Sequence, residues 1–400
     1  MYYYLNYMNS IISNLINSNC IKEGNFKLKN GNYSKYYYDM KNLVSYPKLL
    51  AQIGDEIYSI IMSRLLFTGM INTDNIKICG IQLGGLPIAT YISTKYNIPM
   101  IMVRENIKNY GTQKQIEGEY NRNDYCIIIE DVITTGVSVK KILDILKDKI
   151  NLFGIFTIIK RTNLKNINGI NINYLINKND ITRFKLIKYI ELKKSRICFS
   201  ADLENPEEII KILNIIGSNI IICKIHFDIY KFTEKYTREK FKQDLLNLSN
   251  SLKFLLMEDR KFFEISYIAE KQYNYFKDWI DMVTVFGIVT DDVIKKIDCS
   301  ILLIANMSNN NFDFTDSAIE LCNNNNNILG FITQKKIKHN NLFNFTPGIS
   351  LNEINIDDQR YTNINNIEQE NKPDIIIIGR TIYNSTNILE TVNLINSKFN

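Results

Sequence analysis

The sequence lacks paired cysteines, long apolar runs and any dense cluster of one charge. Its seven cysteines, Cys20, Cys79, Cys126, Cys198, Cys223, Cys299 and Cys322, are odd in number, far apart and never in a Cys-x-x-Cys pair. That spacing argues against a disulfide framework and a zinc knuckle, so a reducing cytoplasmic setting is expected. No stretch reaches the roughly 18 uninterrupted apolar residues of a membrane-spanning helix. The opening MYYYLNYMNSIIS has neither the basic region nor the small-residue cleavage site of a secretory signal. No Lys/Arg tract suggests a nucleic-acid partner. The net charge of +6 is a mild excess, as compatible with anionic small substrates as with an ordinary solvated surface.

What is present fits two globular cores. A chain of 400 residues, 45% hydrophobic and 22% charged, is long for one domain and suitable for two. Short apolar runs alternate with amphipathic stretches, which predicts α/β architecture with parallel strands. Tyr46 to Leu66 has helical spacing, with Leu49, Leu50, Ile53, Ile57, Ile60 and Ile61 on one face. Ile76–Cys79, Met100–Val103, Ile127–Ile129 and Ile155–Ile159 read as strands. A second series, ICFSAD, IIICKIHFD, FLLMED, MVTVFG, SILLIAN, ILGFIT and DIIIIGR, starts at Ile197 and fits a closed (β/α)₈ barrel. The polar, basic segment 177–194 marks the boundary, giving domains over residues 1–178 and 190–400. The Asn runs at 309–311 and 323–327 read as loop composition.

In the first domain the strongest local signal is IIIEDVITTGVS, Ile127 to Ser138. A buried strand ends in Glu130 and Asp131, and Thr134, Thr135 and Gly136 turn the chain into a helix near Ser138. Such a turn offers N–H groups and hydroxyls to a phosphate at a helix N-terminus. Acids at the carboxyl end of a strand can accept from sugar hydroxyls. On chemistry alone, a surface acid pair capping a helix fits equally well. The stretch resembles the phosphoribosyl-pyrophosphate (PRPP) motif of type I phosphoribosyltransferases. FKLKNG with YYYD, CGIQLGGLPIAT and RENIKNYGTQKQIEG resemble further elements of the orotate branch. The resemblance implies a type I phosphoribosyltransferase-like parallel-sheet domain, with Lys29, Arg104, Lys108, Glu130, Asp131, Thr134, Thr135, Gly136 and Ser138 binding PRPP. Lys29, Thr134 and Arg161 would bind orotate, and Mg²⁺ would be carried by PRPP rather than by protein ligands.

In the second domain, Lys224, His226 and Asp228 alternate along IIICKIHFD and would share one face of a strand. Asp259 and Lys261 repeat the pairing after the next apolar run. Charged residues just past apolar strands are costly unless paired. At the C-terminal mouth of a barrel they read as a site, with a structural ion-pair cluster as the lesser alternative. His226 alone reads as a core histidine. SADL, KIHFDI, MEDRKFFEI, FTPGISL, DQRY and DIIIIGR resemble orotidine monophosphate decarboxylase, which implies a (β/α)₈ (TIM) barrel acting without metal or organic cofactor. By that resemblance Lys261, Asp259, Lys224 and Glu264 are catalytic. Asp202, Lys224, Ser308, Gln359, Tyr361, Gly379 and Arg380 would bind orotidine monophosphate (OMP). Glu264 would act across a homodimer interface.

In this order, the two halves resemble the fused transferase–decarboxylase family that makes UMP from orotate. The chain departs from the pattern at several positions: Glu105 stands for a lysine, Lys35 for a proline, Glu264 for an aspartate and Ile268 for a threonine. Gln82 and Leu83 replace a Pro-Tyr pair, the His-x-x-Pro-Gly element is missing around Val283–Val289, and Arg360 interrupts the phosphate element. Two alternatives therefore stay open from sequence: an active transferase with a non-catalytic nucleotide-binding barrel, and a regulator that binds PRPP or UMP without turnover.

Overall fold

The computed structural model describes residues 2–27, 33–69, 73–105, 114–307, 312–339, 341–351 and 361–399. By mutual contact the chain divides into two units. One is Met1–Lys22 with Tyr38–Lys178, and the other is Glu23–Tyr37 with Asn179–Asn400. The amino-terminal helix α1 (Tyr2–Asn17) is followed by a two-stranded ribbon, β1 (Ile21–Lys27) and β2 (Tyr33–Tyr38). Most of the ribbon belongs to the second unit.

In the first unit, Pro47 opens α2 (Pro47–Phe67), which buries Leu49, Ile53, Ile57, Ile61 and Leu65. The predicted face is right except that Leu50 and Ile60 lie at its half-buried edge. There follow β3 (Ile76–Gly80), α3 (Gly85–Tyr96), β4 (Met100–Val103), β5 (Ile116–Glu117) and β6 (Tyr125–Ile133). Next come α4 (Val137–Leu146), β7 (Asn151–Lys160), β8 (Asn166–Ile167) and β9 (Ile170–Asn177). The seven strands lie in the order β5-β4-β3-β6-β7-β9-β8, with only the two edge strands antiparallel to their neighbours. The order reverses between β3 and β6. At such a switch point an open α/β sheet leaves a crevice beyond its strand ends.

The segment read as a boundary from composition is helical: α5 (Lys178–Lys193) buries Ile181, Phe184, Leu186 and Tyr189. Beyond it, β10 (Ile197–Ser200), α6 (Pro206–Ile216), β11 (Ile222–Ile225), α7 (Arg238–Leu252), β12 (Leu255–Phe262), α8 (Ser266–Tyr273), β13 (Met282–Phe286), α9 (Asp291–Lys296), β14 (Ser300–Ile304), α10 (Thr315–Asn324), β15 (Ile328–Ile332) and β16 (Phe343–Pro347) alternate. The small pair β17 (Ile349–Ser350) and β18 (Thr362–Asn363) precedes β19 (Ile375–Ile378), α11 (Arg380–Tyr383) and α12 (Ile388–Phe399). Strands β10 to β16 and β19 close a parallel eight-stranded barrel. Seven of them match the predicted runs, and the eighth is β16, whose sequence FNFTP is too polar to read as a buried strand. Period-two alternation sorts the strand residues into two layers. Cys198, Ile222, Met257, Met282, Leu302 and Phe345 fill the barrel with Leu186 and Tyr189 of α5. Phe199, Cys223, Leu256, Val283 and Leu303 pack outward with the helices. No described helix is long and apolar enough to cross a membrane.

Candidate active sites

The first site is built on the switch point between β3 and β6. After β3 the chain turns at Gly84, where even a Cβ would stand 1.9 Å from an Asp131 carboxylate oxygen. Only glycine lets the turn and the acid meet. Glu130 is buried. It accepts from the Ser138 hydroxyl at 3.0 Å and from the Asp131 N–H at 3.0 Å. Burial, with Asp131 adding repulsion, pushes the Glu130 carboxyl up to about 8. Exposed Thr134 and Thr135 lead to Gly136, at φ +73°, and from there into α4. The N–H groups of that first turn face the loop with no intrahelical partner. Arg161 follows β7, donates its backbone N–H to Ile133 O at 2.8 Å and lies 4.6 Å from the Tyr38 ring centre. Its Nε is buried with no hydrogen-bond partner. A buried guanidinium donor in that state suits a carboxylate ligand. Arg104 pairs with Glu117 at 3.3 Å. Glu105 pairs with Lys141 of α4 at 2.9 Å.

The Glu130 proton yields a test. A carboxyl raised to about 8 stays protonated in the folded protein where an ordinary one has ionised. Folding therefore takes up a proton between those values, and the contribution to stability falls as pH rises through that window. If the ionised form holds the ribose hydroxyls, apparent PRPP affinity rises with pH towards and through about 8. Glu130→Gln flattens that profile, as initial rates over a range of pH would reveal.

The second site lies at the C-terminal mouth of the barrel, in a cavity of about 380 Å³. Its wall includes Ser200, Asp202, Lys224, His226, Asp259 and Lys261. A further part of the lining holds Tyr361, Gly379, Arg380 and Thr381. The Lys224 ammonium is buried and bonds Asp259 at 2.8 Å, Asp202 at 3.2 Å and the His226 ring at 2.9 Å. Lys261 reaches the same Asp259 oxygen at 2.8 Å. Burial alone would raise Asp259. The Lys224 cation overrides it, with His226 and Lys261 adding, and holds that carboxyl well below the usual range. Conversely, burial works against the Lys224 charge, and Asp259 and Asp202 more than restore it. Both partners therefore stay ionised. Among the described residues the lining holds three cations, Lys224, Lys261 and Arg380, against two carboxylates, a balance that favours an anion.

Two expectations need correction. Strand β11 ends at Ile225, so Asp228 leaves the shared face and pairs outside with Arg260 at 2.6 Å. His226, read as a core histidine, instead lines the cavity. Glu264 is exposed and does not line the cavity of its own chain. Lys29, Lys108, Ser308, Gln359 and Arg360 lie outside the described residues. Sequence reasoning missed Thr284, whose hydroxyl donates to Asp259 at 2.8 Å. Its one signal is a polar residue at an inward position of the apolar run MVTVF.

Two family descriptions match this chain in comparison with known proteins. Residues 195–395 match the family described as orotidine 5'-phosphate decarboxylase / HUMPS, and residues 39–161 match the phosphoribosyl transferase domain. A uridine 5'-monophosphate synthase of Bos taurus is 27% identical over 97% of this chain and 95% of its own length. One from Caenorhabditis elegans is 25% identical over 94% and 92%. An orotate phosphoribosyltransferase of Methanosphaera stadtmanae is 41% identical over 39% of this chain and 83% of its own length.

Proposed function

We infer, from a chain that belongs to the orotidine 5'-phosphate decarboxylase / HUMPS family and, in its first half, to the orotate phosphoribosyltransferases, that it makes UMP in two steps. Orotate and PRPP give OMP and pyrophosphate, and OMP then loses CO₂. The observation that carries this reading is the Lys224–Asp259–Lys261 cluster, fully paired and facing a cavity with an excess of cations.

In the first step the orotate ring nitrogen displaces pyrophosphate from the ribose through an oxocarbenium-like transition state, with no protein nucleophile. Glu130 and Asp131 take the ribose hydroxyls, and Thr134, Thr135, Gly136 and Ser138 take the 5'-phosphate. Arg104 and Lys108 offset the charge of the leaving group, while Arg161, Thr134 and Lys29 orient orotate. Catalysis is then positioning and charge. Mg²⁺ carried by PRPP, rather than by protein ligands, would supply charge neutralisation for the leaving pyrophosphate.

In the second step Asp202 and Lys224 hold the ribose, and Arg380, Tyr361, Gly379 and Gln359 hold the phosphate. Ser308 contacts the pyrimidine. Asp259, kept ionised, stands beside the departing carboxylate, and Lys261 delivers a proton to C6 as the carbon–carbon bond breaks. Decarboxylation without the enzyme is slow, so the site must supply towards the upper end of the roughly 8–23 kcal/mol typical of enzymes.

The test is purified protein with orotate, PRPP and Mg²⁺, with products separated over time. UMP as end product is expected, and orotate left unconsumed together with OMP left intact would overturn the reading.

The acting form is a cytoplasmic homodimer in which Glu264 completes the neighbouring barrel site. Glu264 is exposed beside Phe263, Ile265 and Tyr267, which are 60%, 70% and 61% exposed, an apolar strip that a second copy would cover. Glu264→Ala and Lys261→Ala should each lack decarboxylase activity. Mixed and allowed to exchange subunits, they should regain some, because one hybrid site then has both residues. No recovery, with a monomeric mass in light scattering, sinks the dimer.

A further inference from the structure

Strand β12 is irregular at the residues that matter most. Glu258 pairs with Val283 and Phe262 with Val285, so Asp259, Arg260 and Lys261 stand opposite Thr284 alone. Two surplus residues make a bulge, the device by which strands re-aim side chains beside active sites. Within it Lys261 has φ +52°, in the left-handed region that a side-chain-bearing residue occupies only when its surroundings hold it there.

Thr284 supplies that hold. Its hydroxyl accepts from the Lys261 backbone N–H at 2.9 Å and donates to Asp259 Oδ1 at 2.8 Å. The other oxygen of Asp259 receives both ammonium groups, Lys224 at 2.8 Å and Lys261 at 2.8 Å. Thr284 is 1% exposed, which leaves water little access to substitute for it. The Lys261 amide can only donate and ionised Asp259 can only accept, so the direction of both bonds is fixed. One hydroxyl thus ties the two ends of the bulge: the carboxylate that faces the leaving CO₂ and the backbone that aims the proton donor.

We propose that Thr284 is a positioning residue for the decarboxylation, fixing the Asp259 carboxylate and the Lys261 backbone relative to each other. The proposal rests on the decarboxylase reading of the barrel. Thr284→Val keeps the shape and removes the hydroxyl, whereas Thr284→Ser keeps the hydroxyl. A misplacement of about 1 Å costs on the order of 10²-fold in rate. Thr284→Val should therefore lower kcat for OMP about 10²-fold with little change in KM, and Thr284→Ser should restore most of the rate. UMP binding, retained in both, reports an intact pocket; Thr284→Ala replaces the valine variant if that one fails to fold. Equal losses in the Ser and Val variants, a change confined to KM, or no loss would overturn the proposal. A second readout needs no turnover: a UMP analogue bearing an oxyanion at C6 should lose affinity for Thr284→Val while UMP does not. If the wild-type chain leaves OMP intact, the decarboxylase reading fails. The analogue then still decides the role of Thr284, since equal affinities in wild type and variant refute it.

Discussion

Replacing Lys261 with alanine is expected to stop the two-step reaction at OMP. The variant should consume orotate and PRPP at the wild-type rate and release pyrophosphate, while UMP formation falls by ~10⁴-fold, the upper end of what a positioned proton donor contributes. The substitution leaves the rest of the cluster charged. Asp259 keeps Lys224 at 2.8 Å and the Thr284 hydroxyl at 2.8 Å, so no buried carboxylate is stranded. That separates Lys261 from Asp259, whose removal would strand Lys224, a buried cation left with the half-exposed Asp202 at 3.2 Å. Chromatography of the products distinguishes the outcomes. OMP accumulating in step with pyrophosphate supports the assignment. UMP at the wild-type rate would mean that another group delivers the proton.

The sequence made this site legible because alternation and apolar runs are local properties. Asp259 and Lys261 follow FLLM at inward positions, and the structure keeps that parity despite the bulge. The acids of the first site were legible for the same reason, lying at the end of a β-branched run. What escaped depends on where a strand stops or on what faces it. Asp228 was misplaced because β11 ends at Ile225, three residues before it. Strand β16 was hidden because Asn344 and Thr346 interrupt its apolar pattern, and its Asn344 side chain instead bonds Ile337 and Asp374. The helix α5 resembles a polar connection in sequence because its lysines mask the face, Leu186 and Tyr189, that closes the barrel. Thr284 became functional only through β12 lying beside it, which spacing in one strand cannot report.

The most distant of these pairings carries the largest expected effect on stability. Lys35, where the transferase pattern has a proline, is fully buried in the second unit and bonds Asp281 at 2.5 Å and Ser249 at 2.8 Å. Asp281 also accepts from the Tyr36 hydroxyl at 2.6 Å, and Lys185 of α5 donates to that same Tyr36 oxygen at 2.7 Å. Burial would raise the Asp281 carboxyl, but Lys35 and Lys185 together hold it below its ordinary value. Asp281→Leu therefore strands buried lysine charge, a loss of about 3–5 kcal/mol. The pH dependence has a definite sign. Asp281 is depressed in the folded state, so its contribution is present at neutral pH and lost as pH falls through the acid range. In the variant the burden is the unpaired ammonium. Burial already pulls Lys35 down to about 8 with Asp281 beside it, and loss of that carboxylate lowers it further, so the defect should shrink as pH rises from below that value towards the ordinary lysine range. Trp279 is the chain's one tryptophan and is buried in the barrel unit, so its fluorescence during urea unfolding follows that unit alone. The same network predicts where the barrel can be cut. A fragment beginning at residue 190 loses Leu186 and Tyr189, which close the barrel core, and with them Lys185 and the ribbon residues Lys35 and Tyr36 of the charge network. It should fail to fold, and starting at residue 179 should restore the helix but still leave Asp281 without Lys35. Full stability in either fragment would mean that this buried charge network adds nothing the barrel needs.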